Sequence, residues 1–384
     1  MLRGFQSALV FVCSLAVVGA IASAQQPAPA PASVLVRPIE PPDTLLPSEA
    51  ASAATTRFSF LAYGDTRGQA DGTELQRDHG LVVDAMLAKI ASLAATPFPV
   101  RFVVQTGDAV VNGRIGQQFN VSFTPLIEKL THGAGLPFFF AAGNHDVTTM
   151  PIGSTSRALG LHNTLSAMAK LMPPDGSPRR LSGYPTYAVG FGNMFLLAID
   201  SNIASDPVQL AWVTDQLARI DRVRFPHIIA FFHHPVFSSG PHGGDNVEPQ
   251  TIALRSLYAP LFRRHHVRMT MAGHDHLYDH WVERYADGGQ VYRRDDIVTG
   301  GGGAPVYTYK GEPDLQAYQM AGAAFDLRVQ HLAAPGPLNV DNPHHFVVIQ
   351  VDGDRLSLEV VGIGPTPFAP FGGRSRIELT DQIM

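Results

Sequence analysis

Cysteine is almost missing from this chain. The single one, Cys13, lies in the N-terminal apolar run. A chain cut after that run has no disulfide, no cysteine nucleophile and no thiolate metal site, so any metal must be held by His, Asp, Asn or Glu. The lack of thiols suits an exported protein in an oxidising compartment. Positive charge is also scarce: 28 Lys and Arg stand against 33 Asp and Glu. There is no basic block and no aromatic stacking motif, which argues against a surface that tracks phosphates, and no nucleic-acid partner is expected. Beyond the N-terminus no apolar run is long enough to span a bilayer. No repeat of fixed period is present.

The N-terminus carries its own signal. Arg3 is followed by an apolar stretch that ends in Ala22-Ser23-Ala24, a small-x-small cleavage pattern. Residues 1–24 therefore read as a signal peptide, and the mature protein is expected in the periplasm or outside the cell, without membrane contact. The alternative is an uncleaved anchor, for which the run is short. Residues 25–56 are rich in Pro and Ala and are expected to form a disordered linker. Residues 57–365 make the domain, and 366–384 a C-terminal tail.

From Arg57 onward short apolar runs recur: RFSFLAYG, RFVVQTG, PFFFAAG, MFLLAID, HIIAFF and VRMTMAG. Each has strand length and is apolar on both faces, as expected of strands buried between layers. Helical stripes lie between them, at Leu75, Val82, Val83, Met86, Leu87, Ile90 and Leu93, and again at Leu210, Val213, Leu217 and Ile220. Asp206-Pro207 reads as an N-cap with proline at N1 and Gln209 at the capping-box position. The alternation argues an α/β layered domain. A hairpin is expected around Asp352-Gly353-Asp354.

Five runs deliver a potential ligand at or just past their C-terminal end. They give Asp65, then Asp108, then Asn144, then His233 with His234, then His274 and His276. Sites in α/β sheets form beyond the carboxyl ends of strands, so residues this far apart can converge. Glycines precede Asp65, Asp108, Asn144 and His274, which suits sharp turns at a crowded site. A carboxylate shared by two cations, with imidazole on each, is what a two-metal hydrolytic centre requires. Taken singly, an Asp after a strand also serves as a turn residue and a His-x-His also sits on surfaces. GGGGAP at 300–305 has no lysine and is no phosphate-binding loop. His265-His266 read as a helix end, and His344-His345 as residues before a strand.

The series GD…GDxVxxG…GNHD…HHP…GHDH resembles the calcineurin-like metallophosphoesterases over most of residues 57–362. FHHPVFSSGPHG and GHDHLY look closest to the purple acid phosphatase branch. The resemblance implies a four-layer αββα sandwich of two mixed β-sheets flanked by helices, with two metal ions at the strand ends. It implies that Asp108 bridges the ions, that Asn144, His233 and His274 complete one site, and that Asp65 and His276 hold the other. His145 and His242 would sit beside the phosphoryl group. The expected function is an exported hydrolase of phosphate monoesters or diesters, acting on a small phosphorylated substrate through attack of a metal-bound hydroxide. Mn, Fe and Zn all suit such ligands. The alternative is a degenerate member that binds a ligand without hydrolysis.

Two departures matter. Most family members have Asp-x-His at the first motif, and here Arg67 replaces that His. The purple branch supplies a tyrosine three residues after the bridging Asp, and here Val111 stands there, so no iron–tyrosinate colour is expected. Water, or one of Asn112, His79 and Asp71, would fill the gap; otherwise the first ion binds weakly, or the site works with one metal. Arg67 would either clamp a phosphoryl oxygen or pair with a surface carboxylate.

Overall fold

A computed structural model describes residues 35–243 and 247–379. The expected signal segment 1–24 and the start of the Pro/Ala stretch lie outside the described residues. Among the described residues thirteen strands run in chain order as β1 (Arg57–Tyr63), β2 (Val100–Gln105), β3 (Phe138–Phe140), β4 (Tyr187–Phe191), β5 (Met194–Ala198), β6 (His227–Phe231), β7 (Met269–Ala272), β8 (Tyr278–Asp287), β9 (Gln290–Thr299), β10 (Arg328–Ala333), β11 (His345–Asp352), β12 (Arg355–Gly362) and β13 (Arg376–Glu378). They build two mixed sheets. The first has the order β13-β12-β11-β1-β2-β3, and the second β10-β8-β9-β7-β6-β5-β4. β1, β2 and β3 are mutually parallel, as are β5, β6, β7 and β9; antiparallel strands complete each sheet.

The apolar-on-both-faces pattern follows from the layering. Along β5, Met194, Leu196 and Ala198 face the core shared with the first sheet, while Phe195 and Leu197 face a second core. Alternate side chains of a strand point to opposite faces, so both faces of this strand are buried. Between the sheets, Phe58 meets Phe191 edge to face with ring centres 5.1 Å apart. Behind the second sheet, Val213 and Leu217 of the helix Pro207–Ala218 pack with Tyr258 and Phe262. Behind the first, the helix Arg77–Leu93 buries Val82, Val83, Met86 and Leu93. Two mixed sheets flanked by helices is the architecture expected from the motifs.

Several local expectations hold. Asp206 accepts hydrogen bonds from the Val208 and Gln209 amides, with Pro207 at N1. β11 and β12 form the hairpin, with Gly353 at φ 62° in its two-residue turn. Gln209 does not close a capping box. Its amide nitrogen donates to Asp200 O at 3.0 Å and its oxygen accepts from Thr186, because the strand end beside it offers unpaired buried groups.

The linker expectation fails for residues 35–56. They have no regular structure up to the turn before β1, yet they lie on the domain. Arg37 makes a forked ion pair with Glu128, Lys170 reaches Glu40 at 2.6 Å, Arg179 reaches Glu49 at 2.8 Å, and Ile39 is fully buried. Composition hid this because the anchors are paired charges and one isoleucine rather than an apolar stripe. The tail is not free either: β13 pairs with β12, and Phe371 and Leu379 are buried. Among the described residues no helix is long and apolar enough to cross a membrane.

Candidate metal centre

Both sheets end at one place. β1, β2 and β3 deliver Asp65, Asp108 and Asn144, and β6 and β7 deliver His233, His274 and His276. The chain turns so sharply here that Asp65, Asp108 and His274 adopt left-handed backbone, with φ of 60°, 57° and 70°. Such strain in residues other than glycine persists only where surrounding bonds hold it. The bonds are visible. Asp65 N–H donates to Gly107 O at 2.9 Å, and the Asp65 carboxylate accepts the His274 amide at 2.9 Å. The glycines serve close approach: a Cβ on Gly143 would lie 2.1 Å from Asp108 Oδ1, and one on Gly273 2.1 Å from Asp65 Oδ2.

Each histidine has one nitrogen committed away from the centre. His233 Nδ1 lies 3.0 Å from Thr106 O, His276 Nδ1 2.7 Å from Pro305 O, and His145 Nδ1 2.7 Å from Val111 O. His274 Nε2 lies 2.9 Å from the Glu248 carboxylate. A carbonyl or carboxylate oxygen only accepts, so these nitrogens carry the protons and the opposite nitrogens present lone pairs. This is how metal-ligating histidines are usually oriented.

The lone pairs then meet. His233 Nε2 is 2.9 Å from Asn144 Oδ1, 3.1 Å from His274 Nδ1 and 3.3 Å from Asp108 Oδ1. Four acceptors this close repel one another unless a cation sits among them. Ligands bound at about 2.0–2.1 Å in a tetrahedron are roughly 3.3 Å apart. The donor set therefore fits a metal ion.

The other half of the site differs. His276 Nε2 faces Asp65 Oδ1 at 3.5 Å and Arg67 Nη2 at 3.4 Å, while Arg67 Nε lies 3.5 Å from Asp108 Oδ2. The guanidinium is among the ligands, and the surface-pair alternative for Arg67 is overturned: its partner is a buried carboxylate. The three groups offered to fill the gap are also engaged elsewhere. Asp71 accepts from Gly68 N, Val111 N and Gln76 Nε2; His79 is buried between Tyr63 and Gln76; Asn112 Oδ1 accepts from Arg114 N.

The charges respond to this setting. Burial pushes the Asp108 carboxyl up, but His233, His145 and Arg67 outweigh it and hold the group at about 2. Asp65 is pushed well above the usual carboxylate range, by burial and then by the Asp108 charge. His276 falls to about 3 through burial and the neighbouring guanidinium. His233 also falls to about 3, mainly through burial.

Around this core lie residues the motifs did not single out. Glu248 accepts from His274 and from His242 Nδ1, the latter at 2.9 Å, and these bonds hold it well below the usual carboxylate range against burial. The hydrogen bond to Glu248 in turn raises His242. His234 is buried with its Nδ1 2.9 Å from Ser201 Oγ and its Nε2 3.8 Å from Glu248. Asp146 accepts from the amides of Asp108, Ala109 and Gly143, tying two strand ends together. Tyr307 stacks on His276 with ring centres 4.1 Å apart. The glycine run at 300–303 packs in: Gly302 N–H donates to Gly64 O, and Ala304 N–H to Asp65 O. Beside Arg67 a cavity of about 470 Å³ opens, walled by Gln69, Asp71, Glu74, Gln76 and Arg77.

Comparison with known proteins places this geometry. The family model described as calcineurin-like phosphoesterase matches residues 59–278. Probable purple acid phosphatase 20 of Arabidopsis thaliana is 27% identical over 155 residues, which is 39% of this chain and 34% of that protein. The Fe(3+)-Zn(2+) purple acid phosphatase 12 of the same plant is 26% identical over 148 residues, 37% of this chain and 29% of that protein. The matched stretch thus spans about a third of the length of these relatives. Among solved structures, purple acid phosphatase PPD1 from yellow lupin (Lupinus luteus) seeds superposes with a TM-score of 0.55 at 16% identity, covering 81% of this chain and 53% of that one.

Proposed function

The chain belongs to the calcineurin-like phosphoesterase family, and on that footing we propose that it hydrolyses phosphate monoesters or diesters with a metal ion held by Asp108, Asn144, His233 and His274. The observation that carries this reading is the convergence of lone pairs on His233 Nε2, at 2.9, 3.1 and 3.3 Å. Mn, Fe and Zn suit such a donor set. A bound ion there supplies Lewis acidity toward a phosphoryl oxygen and acidifies water.

The protein's own groups do the rest. Arg67 offers guanidinium N–H donors beside the centre, suited to equatorial phosphoryl oxygens where charge develops. His145 presents a free Nε2 3.9 Å from Asp108 Oδ2, with its other nitrogen fixed by Val111, and in its imidazolium form, with a proton on Nε2 as well, is placed to protonate the leaving alkoxide. His242, raised by Glu248, carries a proton at mildly acidic pH and adds positive charge beside His274. The polar cavity next to Arg67 receives the ester substituent.

Asp108→Asn tests this reading. Metal content and turnover of p-nitrophenyl phosphate and bis-p-nitrophenyl phosphate should be lost together, and retained turnover refutes the assignment. The ratio of the two turnover rates in the wild type decides between monoester and diester. A folded protein that takes up no metal would instead be a ligand-binding member of the family. Export is part of the proposal: the mass of the protein recovered from periplasm or medium should correspond to a chain starting at Gln25.

A further inference from the structure

We propose that the guanidinium of Arg67 takes the place of one of two cations, so that the centre holds a single metal ion per chain, at Asp108, Asn144, His233 and His274. The inference rests on the phosphoesterase reading above and concerns how that site is built.

The two halves of the centre satisfy their lone pairs differently. Around His233 Nε2, acceptors face acceptors, and only a cation relieves them. Around His276 Nε2, the lone pair faces an N–H donor, Arg67 Nη2 at 3.4 Å, and the same guanidinium lies 3.5 Å from Asp108 Oδ2. That half already contains its cation. A guanidinium stays charged at any pH the protein meets.

Charge counting points the same way. The carboxylates facing the half that holds Arg67 are Asp65 and Asp108. One divalent ion with Arg67 gives them three positive charges in all, which leaves a site matched to a phosphoryl anion. A second divalent ion in that half would add two more and would press against the guanidinium. Asp71, His79 and Asn112 are each engaged by hydrogen bonds to other groups. Arg67 is also held: its side chain is 19% exposed. In this role Arg67 is a catalytic residue. Its planar fork meets two phosphoryl oxygens at once, where an ion would meet one.

Metal stoichiometry tests the inference, by titration with Zn²⁺ in a calorimeter and by metal content after desalting. The wild type is expected to bind one Zn²⁺ per chain. Arg67→His, which makes residues 65–67 Asp-Thr-His, is expected to bind two. Arg67→Ala should weaken inhibition by inorganic phosphate about 10–100-fold, the range for losing hydrogen bonds from a charged group. Two ions per wild-type chain with turnover overturn the inference and leave the phosphoesterase reading standing. No ion in a folded, inactive wild type overturns that reading itself. One ion in both wild type and Arg67→His, or unchanged phosphate inhibition in Arg67→Ala, overturns the role given to Arg67. If Arg67→His does not fold, the wild-type count and the Arg67→Ala phosphate measurement decide.

Discussion

Glu248 offers the sharpest test of how the centre is oriented. Its Oε2 lies 2.9 Å from His274 Nε2, and the opposite nitrogen of that ring is 3.1 Å from His233 Nε2. The carboxylate fixes the ring's tautomer and makes Nδ1 a stronger donor toward a cation. Replacing Glu248 by Ala removes the acceptor that His274 Nε2 has among the described residues, for a ring that is 7% exposed. His234 Nε2 is nearby, 3.8 Å from the same carboxylate and without a hydrogen-bond partner among the described residues, and gives His274 no equivalent anchor. Loss of such a partner typically weakens metal binding 10–100-fold, which is about 1.4–2.7 kcal/mol. Glu248→Gln keeps an acceptor without the charge and should fall between wild type and Ala. The assay is competition for Zn²⁺ against a chromophoric chelator at pH 7. A second readout is the His242 titration, followed by NMR: its pKa should drop toward the ordinary histidine value once Glu248 is gone. If Glu248→Ala binds Zn²⁺ as tightly as wild type while the His242 titration moves as expected, the orientation argument is refuted.

Three further perturbations follow from buried groups. Asp146→Ala leaves the amides of Asp108, Ala109 and Gly143 without their acceptor; at about 1–3 kcal/mol per stranded buried group, urea unfolding should show a loss of at least about 3 kcal/mol, with metal affinity falling alongside. Arg157 is 3% exposed, pairs with the fully buried Asp200 and also donates to Thr148 O; Arg157→Ala strands a buried charge and should cost about 3–5 kcal/mol, again by urea unfolding. His79 is pushed down to about 3, chiefly by burial. The folded pKa therefore lies below the unfolded value near 6.5, so its contribution is full above about pH 6.5 and is lost as pH falls toward 3. Unfolding midpoints measured from pH 7 to pH 4.5 should drop more steeply for wild type than for His79→Gln, and parallel curves would contradict this.

The sandwich and the placement of the ligands were legible because they repeat one simple signal. A strand apolar on both faces ends in glycine, and the next polar residue has nowhere to go but the sheet edge. The signal fails where a residue comes from a loop with no pattern. Glu248 sits in HGGDNVEPQ, where its visible role is the residue before a helix-starting proline. Tyr307 follows the glycine run and looks like any loop tyrosine. Residues 35–56 misled for the opposite reason: their composition is that of a spacer, and their order comes from pairing with Glu128, Lys170 and Arg179, partners that only the folded chain brings near.

The acidic residues show the deeper limit. Asp65, Asp71, Asp108, Asp146 and Asp275 are equivalent as letters, and all five stand beside glycine or histidine. What separates them is how many oxygens the backbone consumes. Asp146 and Asp71 each accept three hydrogen bonds, and Asp275 accepts from Ser238 Oγ and the His242 amide. Their oxygens are spent on holding loops. Asp108 accepts one, from the His145 amide at 2.9 Å, and keeps Oδ2 toward Arg67. Asp65 accepts a single amide shared by both oxygens. Those two carboxylates keep oxygens turned toward the centre. Arg67 stands beside Asp108, so the residue at this position of the first motif bears on the electrostatics of the centre: the struts are unaffected, while the Asp108 carboxylate has a guanidinium 3.5 Å away before it meets any ion.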